Sequence, residues 1–193
     1  NKETSTGNIF RGCRAWNNGD DGFDLINCYA SYIIEYCWSF RNGYKPHSIE
    51  SSGGNGAGFK SGGYGMGDIK KVPNPIPQHT VRYCLAYYNR QQGFYSNHHL
   101  GGLIFENNTA YKNPSNYNML NRKSSNEAVD VPGYGHIIKN NLSLSPRNSG
   151  GFPQHLINVD NTLSEIKNNS FAPNDLNLSE SDFESLNEQE LMG

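Results

Sequence analysis

The sequence has no apolar run longer than a few residues, far short of the roughly 20 that a helix needs to cross a bilayer. It has no cluster of lysine and arginine, and its formal net charge is −2. A nucleic-acid partner, which demands a concentrated basic face, is therefore not expected. The four cysteines, Cys13, Cys28, Cys37 and Cys84, lack any C-x-x-C spacing, which argues against a structural zinc site. Long aliphatic residues are scarce, and no amphipathic helical stretch occurs before residue 174. No signal peptide opens the chain, which starts at Asn1 inside the repeat described below; an N-terminal portion is expected to precede it.

What the sequence has instead is Asn, Gly, Tyr and Ser, arranged as short strands between turn residues. Its 193 residues suffice for one domain with a sizeable core. The search for internal repeats succeeds. Gly12-Cys13-Arg14-Ala15-Trp16-Asn17-Asn18 aligns without a gap on Tyr36-Cys37-Trp38-Ser39-Phe40-Arg41-Asn42. The frame continues through residues 83–89 and 107–113, with weaker copies at 140–144 and 168–171. One column therefore reads Cys13, Cys37, Cys84, Asn108, Asn141, Asn169, and Cys13 and Cys37 lie 24 residues apart. Small residues, aromatics and Asn in fixed columns at a period in the low twenties are what the coil of a parallel β-helix requires. Cys13 and Cys37 would stack within disulfide reach, yet Asn continues their column, so buried thiols are expected.

A second family of columns aligns Gly22-Phe23-Asp24-Leu25, Gly58-Phe59-Lys60-Ser61, Gly93-Phe94-Tyr95-Ser96 and Asn116-Tyr117-Asn118-Met119. Strand alternation sends Phe23, Phe59, Phe94 and Tyr117 inward and Asp24, Lys60, Tyr95 and Asn118 outward. Residues 43–57, 62–79 and 121–134 break the period, and the first two flank the Lys60 strand as the walls of a cleft would. The coils are expected over residues 1–173. Residues 174–193 form a tail on the last coil, with Ser181 and Glu184 as a capping box.

Asp20, Asp21 and Asp24 crowd three carboxylates into five residues. Asn-Gly-Asp-Asp-Gly is turn chemistry by itself, but crowded acids repel unless a cation intervenes, and hard oxygen ligands suit calcium better than zinc or copper. Lys60 falls on the next rung, about 4.8 Å away in a stacked sheet. An outward lysine is ordinary, but a divalent cation beside one depresses its pKa and leaves a neutral amine able to act as a general base. Tyr64, Tyr95, Asn97, His98 and His99, with Asn118 and Arg122, are the candidate sugar contacts, since aromatic faces and amide or imidazole edges suit a pyranose. Zinc at His98 and His99 is disfavoured because adjacent strand residues face opposite ways.

Asn18-Gly19-Asp20-Asp21-Gly22-Phe23-Asp24-Leu25, the run from Gly54 to Gly63 around Gly58-Phe59-Lys60, the strand from His79 to Asn89, Gly93-Phe94, and Asn107-Asn108-Thr109-Ala110-Tyr111 together resemble polysaccharide lyase family 9. The resemblance covers about residues 10–172. It implies a right-handed parallel β-helix, calcium held by Asp20, Asp21 and Asp24, and Lys60 as Brønsted base. It also implies a further aspartate from a preceding coil, before Asn1, and a secreted, periplasmic or cell-surface monomer. The implied chemistry is β-elimination on a galacturonate-containing pectic backbone, either homogalacturonan or the rhamnose-alternating polymer. A β-helical glycoside hydrolase using two of the aspartates is the enzymatic rival. The Gly-His-Gly and Arg-Ile-Lys motifs of polygalacturonase-like enzymes are not in the sequence. A non-catalytic carbohydrate-binding solenoid is the rival of another class.

Overall fold

The computed structural model describes residues 6–48, 50–65, 72–147, 154–171 and 176–187. Three short strands make each coil, and like strands of successive coils stack into three sheets. The first sheet orders β1 (Asn8–Arg11), β4 (Tyr32–Glu35), β7 (Thr80–Arg82), β10 (Ile104–Glu106), β15 (Ile137–Lys139) and β18 (Glu165–Lys167). In the second, β2 (Arg14–Trp16), β5 (Trp38–Phe40), β8 (Leu85–Tyr87), β11 (Thr109–Tyr111) and β16 (Leu142–Leu144) follow one another. The third holds β3 (Phe23–Asp24), β6 (Phe59–Lys60), β9 (Phe94–Tyr95), β12 (Tyr117–Asn118) and β17 (Leu156–Ile157). All of their pairings are parallel. Strands this short cannot satisfy their own backbone, so each coil depends on the coils above and below it.

One left-handed residue turns each of two corners per coil. Gly12, Tyr36, Tyr83, Asn107, Asn140 and Asn168 occupy the first, with φ between 54 and 67°; Asn17, Arg41, Tyr88, Lys112 and Ser145 occupy the second, with φ between 42 and 53°. Asn and Gly tolerate this conformation best and fill five of these eleven positions. Two ladders of side chains run inside these corners. In one, Oδ1 of Asn108, Asn141 and Asn169 accepts the N–H of Cys84, Asn108 and Asn141 at 2.9–3.0 Å, while each Nδ2 donates to a carbonyl of the rung before. In the other, Asn42, Asn89 and Asn113 do the same for Asn18, Asn42 and Asn89.

The second ladder explains the glycine column. A Cβ on Gly58 would lie 2.7 Å from Asn89 Nδ2, and one on Gly93 would lie 2.7 Å from Asn113 Nδ2. Where the next ladder position is Pro146 in place of asparagine, the space is open and the glycine gives way to Asn116. Its own side chain completes the ladder, accepting from Asn113 Nδ2 at 3.0 Å and donating to Ser143 Oγ at 2.7 Å.

The interior is a column of rings. Phe23, Phe59, Phe94 and Tyr117 stack with centroids 5.0 Å apart, and the last three have no solvent exposure. Each such side chain contributes roughly 1.5–3 kcal/mol on burial. A second apolar column, Phe40, Tyr87, Tyr111 and Leu144, lies on the outer face of the second sheet, and Leu178, Phe183 and Leu186 of the tail cover it. Among its described residues the tail has one 3-10 turn, Glu180–Asp182, whose start is tied by the Ser179 N–H donating to Asp182 Oδ2 at 2.7 Å. The box therefore begins at Ser179, two residues before the expected Ser181, and the tail lies along the side of the solenoid.

Candidate active site

The outward column of the third sheet places Asp24, Lys60, Tyr95 and Asn118 in register. Lys60 Nζ lies 3.0 Å from Asp24 Oδ2 and 3.1 Å from Asp21 Oδ2. Asp21 belongs to the turn ahead of β3; its Oδ1 accepts the Ala57 N–H at 2.7 Å, and its Oδ2 is buried with no hydrogen-bond partner, meeting only the charge of the ammonium. Asp24 Oδ1 accepts the Ile26 N–H at 2.8 Å, which locks the carboxylate. Asp20 points elsewhere, its Oδ1 accepting the Asn55 N–H of the 43–57 insertion at 2.7 Å.

Two of the three aspartates thus converge on one positive charge, and the third anchors a wall. Among the described residues no group of three or more His, Cys, Asp or Glu is placed to hold a metal. The donor set still suits a hard divalent cation: a buried carboxylate oxygen without a hydrogen bond, a second beside it, and a cationic nitrogen already between them. Calcium takes six to eight oxygens, so Asp21, Asp24 and the second oxygen of Asp20 are only part of such a shell. On the residues present, the Lys60 shift runs opposite to that expected beside a divalent cation. Burial pulls its pKa down, but the hydrogen bond and charge of Asp24 and the charge of Asp21 outweigh this and hold it above the ordinary lysine value.

Lys60 opens into a cleft of about 340 Å³ lined by Asp21, Asn55, Gln91, Tyr95, Asn97 and His98. Tyr95 shares a 2.9 Å hydrogen bond with His98 Nε2, and His98 Nδ1 is 2.6 Å from Asp130 Oδ1. Burial, then the nearby charge of Asp130, pushes the Tyr95 phenol up to about 12. Asp130 comes from β14 (Asp130–Val131), which pairs antiparallel with β13 (Asn121–Arg122) inside the 121–134 insertion. A larger concavity, about 980 Å³, lies at the last rung between Leu156 and Lys167 and shares no residue with this cleft.

The model of the Pel9A-like, right-handed β-helix region matches residues 1–141. The chain belongs to this family. The resemblance to polysaccharide lyase family 9 and the right-handed parallel β-helix expected from the sequence are both shown. The chain is 40% identical over 139 residues to "Pectate lyase L" of Dickeya chrysanthemi, covering 72% of this chain and 29% of that protein. A solved rhamnogalacturonan lyase superposes with a TM-score of 0.86 at 54% identity, covering 97% of this chain and 44% of the other. Pectate lyase Pel9A superposes at 0.70 with 34% identity, over 95% of this chain and 39% of its own. The chain therefore spans less than half the length of each of these family members.

Within this family framework, several expected sugar contacts are structural. His99 has no exposure: its Nδ1 accepts the Gly63 N–H at 3.1 Å, its Nε2 faces the Pro77 carbonyl, and burial pushes its pKa down to about 4. Tyr64 lies on the His99 ring with its hydroxyl donating to the Cys28 carbonyl, so neither offers an edge to a ligand. Asn118 is buried and accepts from Asn158 Nδ2 at 3.0 Å, closing the outward stripe at that rung. Arg122 is buried too, donating to the Tyr64 carbonyl, with its Nε left without a partner. Asn97 lines the cleft but spends its Nδ2 on the Gly62 carbonyl. Tyr95 and His98 remain as cleft groups, and Asp130, which the repeat could not reveal, backs His98 from outside the lining. All four cysteines are free thiols; of Cys13 and Cys37, expected as buried thiols, Cys37 is buried and Cys13 half-buried, its N–H donating to Cys37 Sγ at 3.3 Å.

Proposed function

We propose that this chain carries the catalytic face of a polysaccharide lyase that cleaves a galacturonate-containing pectic backbone by β-elimination. The observation that carries the reading is the Lys60 amine set between Asp21 and Asp24 at the floor of an open cleft. In the deprotonated form Lys60 takes the proton from C5 of a bound uronate, the C5–H electron pair forms the C4=C5 double bond, and the C4–O bond breaks. Asp21 and Asp24, with Asp20, are the residues that would hold calcium. When bound, the ion supplies Lewis acidity toward the uronate carboxylate and offsets the two negative charges that hold the Lys60 proton. Only a sugar with a carboxylate at C6 can react this way, so the substrate is an acidic plant polysaccharide. Its source outside cells makes an exported enzyme the natural setting. No helix among the described residues is long and apolar enough to cross a membrane.

Between the two pectic polymers, the rhamnose-alternating backbone is favoured: identity to the solved rhamnogalacturonan lyase is 54%, against 34% to Pel9A. The test is to incubate the protein with each polymer and follow the ultraviolet absorbance of the unsaturated uronate, with calcium present and after chelation. Calcium-dependent release, faster on rhamnogalacturonan, is expected. Binding of either polymer without any unsaturated product would favour the non-catalytic solenoid, and reducing ends without the chromophore would favour the hydrolase.

A further inference from the structure

β-Elimination has two proton events, and Lys60 accounts for one. The bond to C4 breaks onto the glycosidic oxygen, which leaves as an alkoxide unless it receives a proton. A side chain that supplies it would face the same cleft on the leaving side of the sugar. Tyr95 stands one rung from Lys60, in register with it, and lines the same cleft. Behind it lies a chain of polar contacts: His98, in a left-handed conformation at φ 57°, reaches Tyr95 with one ring nitrogen and Asp130 with the other. The 121–134 insertion is what brings Asp130 there, on a hairpin outside the repeat.

We propose that Tyr95 is the proton donor to the leaving oxygen, with His98 and Asp130 as positioning residues that orient and recharge it; this rests on the lyase reading. The Asp130 carboxylate can only accept, so His98 Nδ1 carries a hydrogen toward it. With a second hydrogen on Nε2, His98 donates to the Tyr95 oxygen and turns the phenolic O–H away from the ring and into the cleft. As the C4–O bond breaks, its electron pair goes to the oxygen, which takes the Tyr95 proton. The phenolate then recovers a proton from His98 Nε2, and the ring regains one from solvent. The sum is one proton lost by C5 to Lys60, one gained by the leaving hydroxyl, one double bond formed and one C–O bond broken. The raised phenol pKa, about 12, keeps the hydroxyl protonated until the alkoxide develops.

The experiment compares wild type, Tyr95→Phe, Asp130→Asn and Lys60→Ala in heavy water on whichever pectic polymer the wild type cleaves. Tyr95→Phe should lower kcat about 100-fold or more with KM within roughly threefold, the range a general acid supplies. The uncleaved polymer recovered from it should carry deuterium at C5, because proton removal still occurs while departure stalls. Polymer recovered from Lys60→Ala should carry none. Asp130→Asn, at an exposed position that does not threaten folding, should lower kcat by about tenfold, with KM held, through lost orientation of His98. Cleavage by Tyr95→Phe within threefold of wild type overturns the assignment, and so does lost cleavage without deuterium in the polymer. If Tyr95→Phe fails to fold, Asp130→Asn decides alone, and an unchanged kcat sinks the relay. No unsaturated product from the wild type would remove the lyase reading itself, whereas equal product from wild type and Tyr95→Phe removes only the donor.

Discussion

The third sheet presents two columns from the same four strands, β3, β6, β9 and β12, and they obey different rules. Inward, Phe23, Phe59, Phe94 and Tyr117 are near-copies of one another, stacked at 5.0 Å. Outward, Asp24, Lys60, Tyr95 and Asn118 differ in charge and chemistry at every rung. Repetition is what a solenoid interior requires, because each ring packs on its equal. A site requires the opposite: an acid, an amine and a phenol on three successive rungs. A period that holds inside and fails outside therefore marks where chemistry is located.

The strongest way to separate the two columns is to empty each at one rung. Lys60→Ala should abolish release of unsaturated uronate by roughly 10²–10⁴-fold, the usual weight of a general base; it removes no core packing but strands the buried Asp21 Oδ2 without its counter-charge, so stability should fall after chelation and recover when calcium is added. Phe94→Ala should do the reverse. It removes a ring with no exposure between two stacked neighbours and should cost about 3–5 kcal/mol of stability. Urea denaturation read alongside activity checks both. If Lys60→Ala unfolds the chain as readily as Phe94→Ala even with calcium added, the outward column belongs to the scaffold.

The inward column was legible because stacking repeats itself in the sequence: the Phe positions, the Cys/Asn ladder and the Asp24–Lys60 adjacency all follow from one alignment. Asp130 was not legible, since it reaches His98 from an inserted hairpin that has no period to align. The burial of Tyr64 and His99 was hidden for a related reason. Tyr64 lies in the 62–79 insertion, which folds onto His99 and turns an outward-looking run into interior, as the Pro77 carbonyl at 3.1 Å from His99 Nε2 shows. Asp20 was grouped with Asp21 and Asp24 by spacing and by family resemblance; that its Oδ1 is taken by the Asn55 N–H depends on where a glycine-rich loop closes.

Buried histidines give a milder break of the interior. His99 and His136 are held near pKa 4 and His79 near 3, each chiefly by burial, with His99 adding to the other two by charge. Above pH 6.5 both folded and unfolded chains carry these rings neutral, so they add no pH dependence there. As pH falls below that value the unfolded chain takes up protons that the folded chain refuses, and stability declines by about 1.4 kcal/mol per histidine per pH unit at most. The urea midpoint should therefore drop between pH 6.5 and 5. A flat midpoint across that window would mean that the rings accept protons without leaving the core.

The smallest expected effect tests whether the interior columns are interchangeable along their length. Cys84 occupies a ladder position that Asn108 fills one coil later, and it does the same work less well. Its Sγ donates to the Ile34 carbonyl at 3.5 Å, where Asn108 Nδ2 reaches the Val81 carbonyl at 2.9 Å. Cys84→Asn should place an amide nitrogen against that carbonyl and offer Oδ1 to the rung before it. A net hydrogen bond in this setting is worth about 1 kcal/mol. Stability should rise by that much, seen as a higher urea midpoint at unchanged slope, with the cleft and its activity untouched. A loss of the same size would mean that the first coils are packed around sulfur and that the ladder changes register of fit between Cys84 and Asn108.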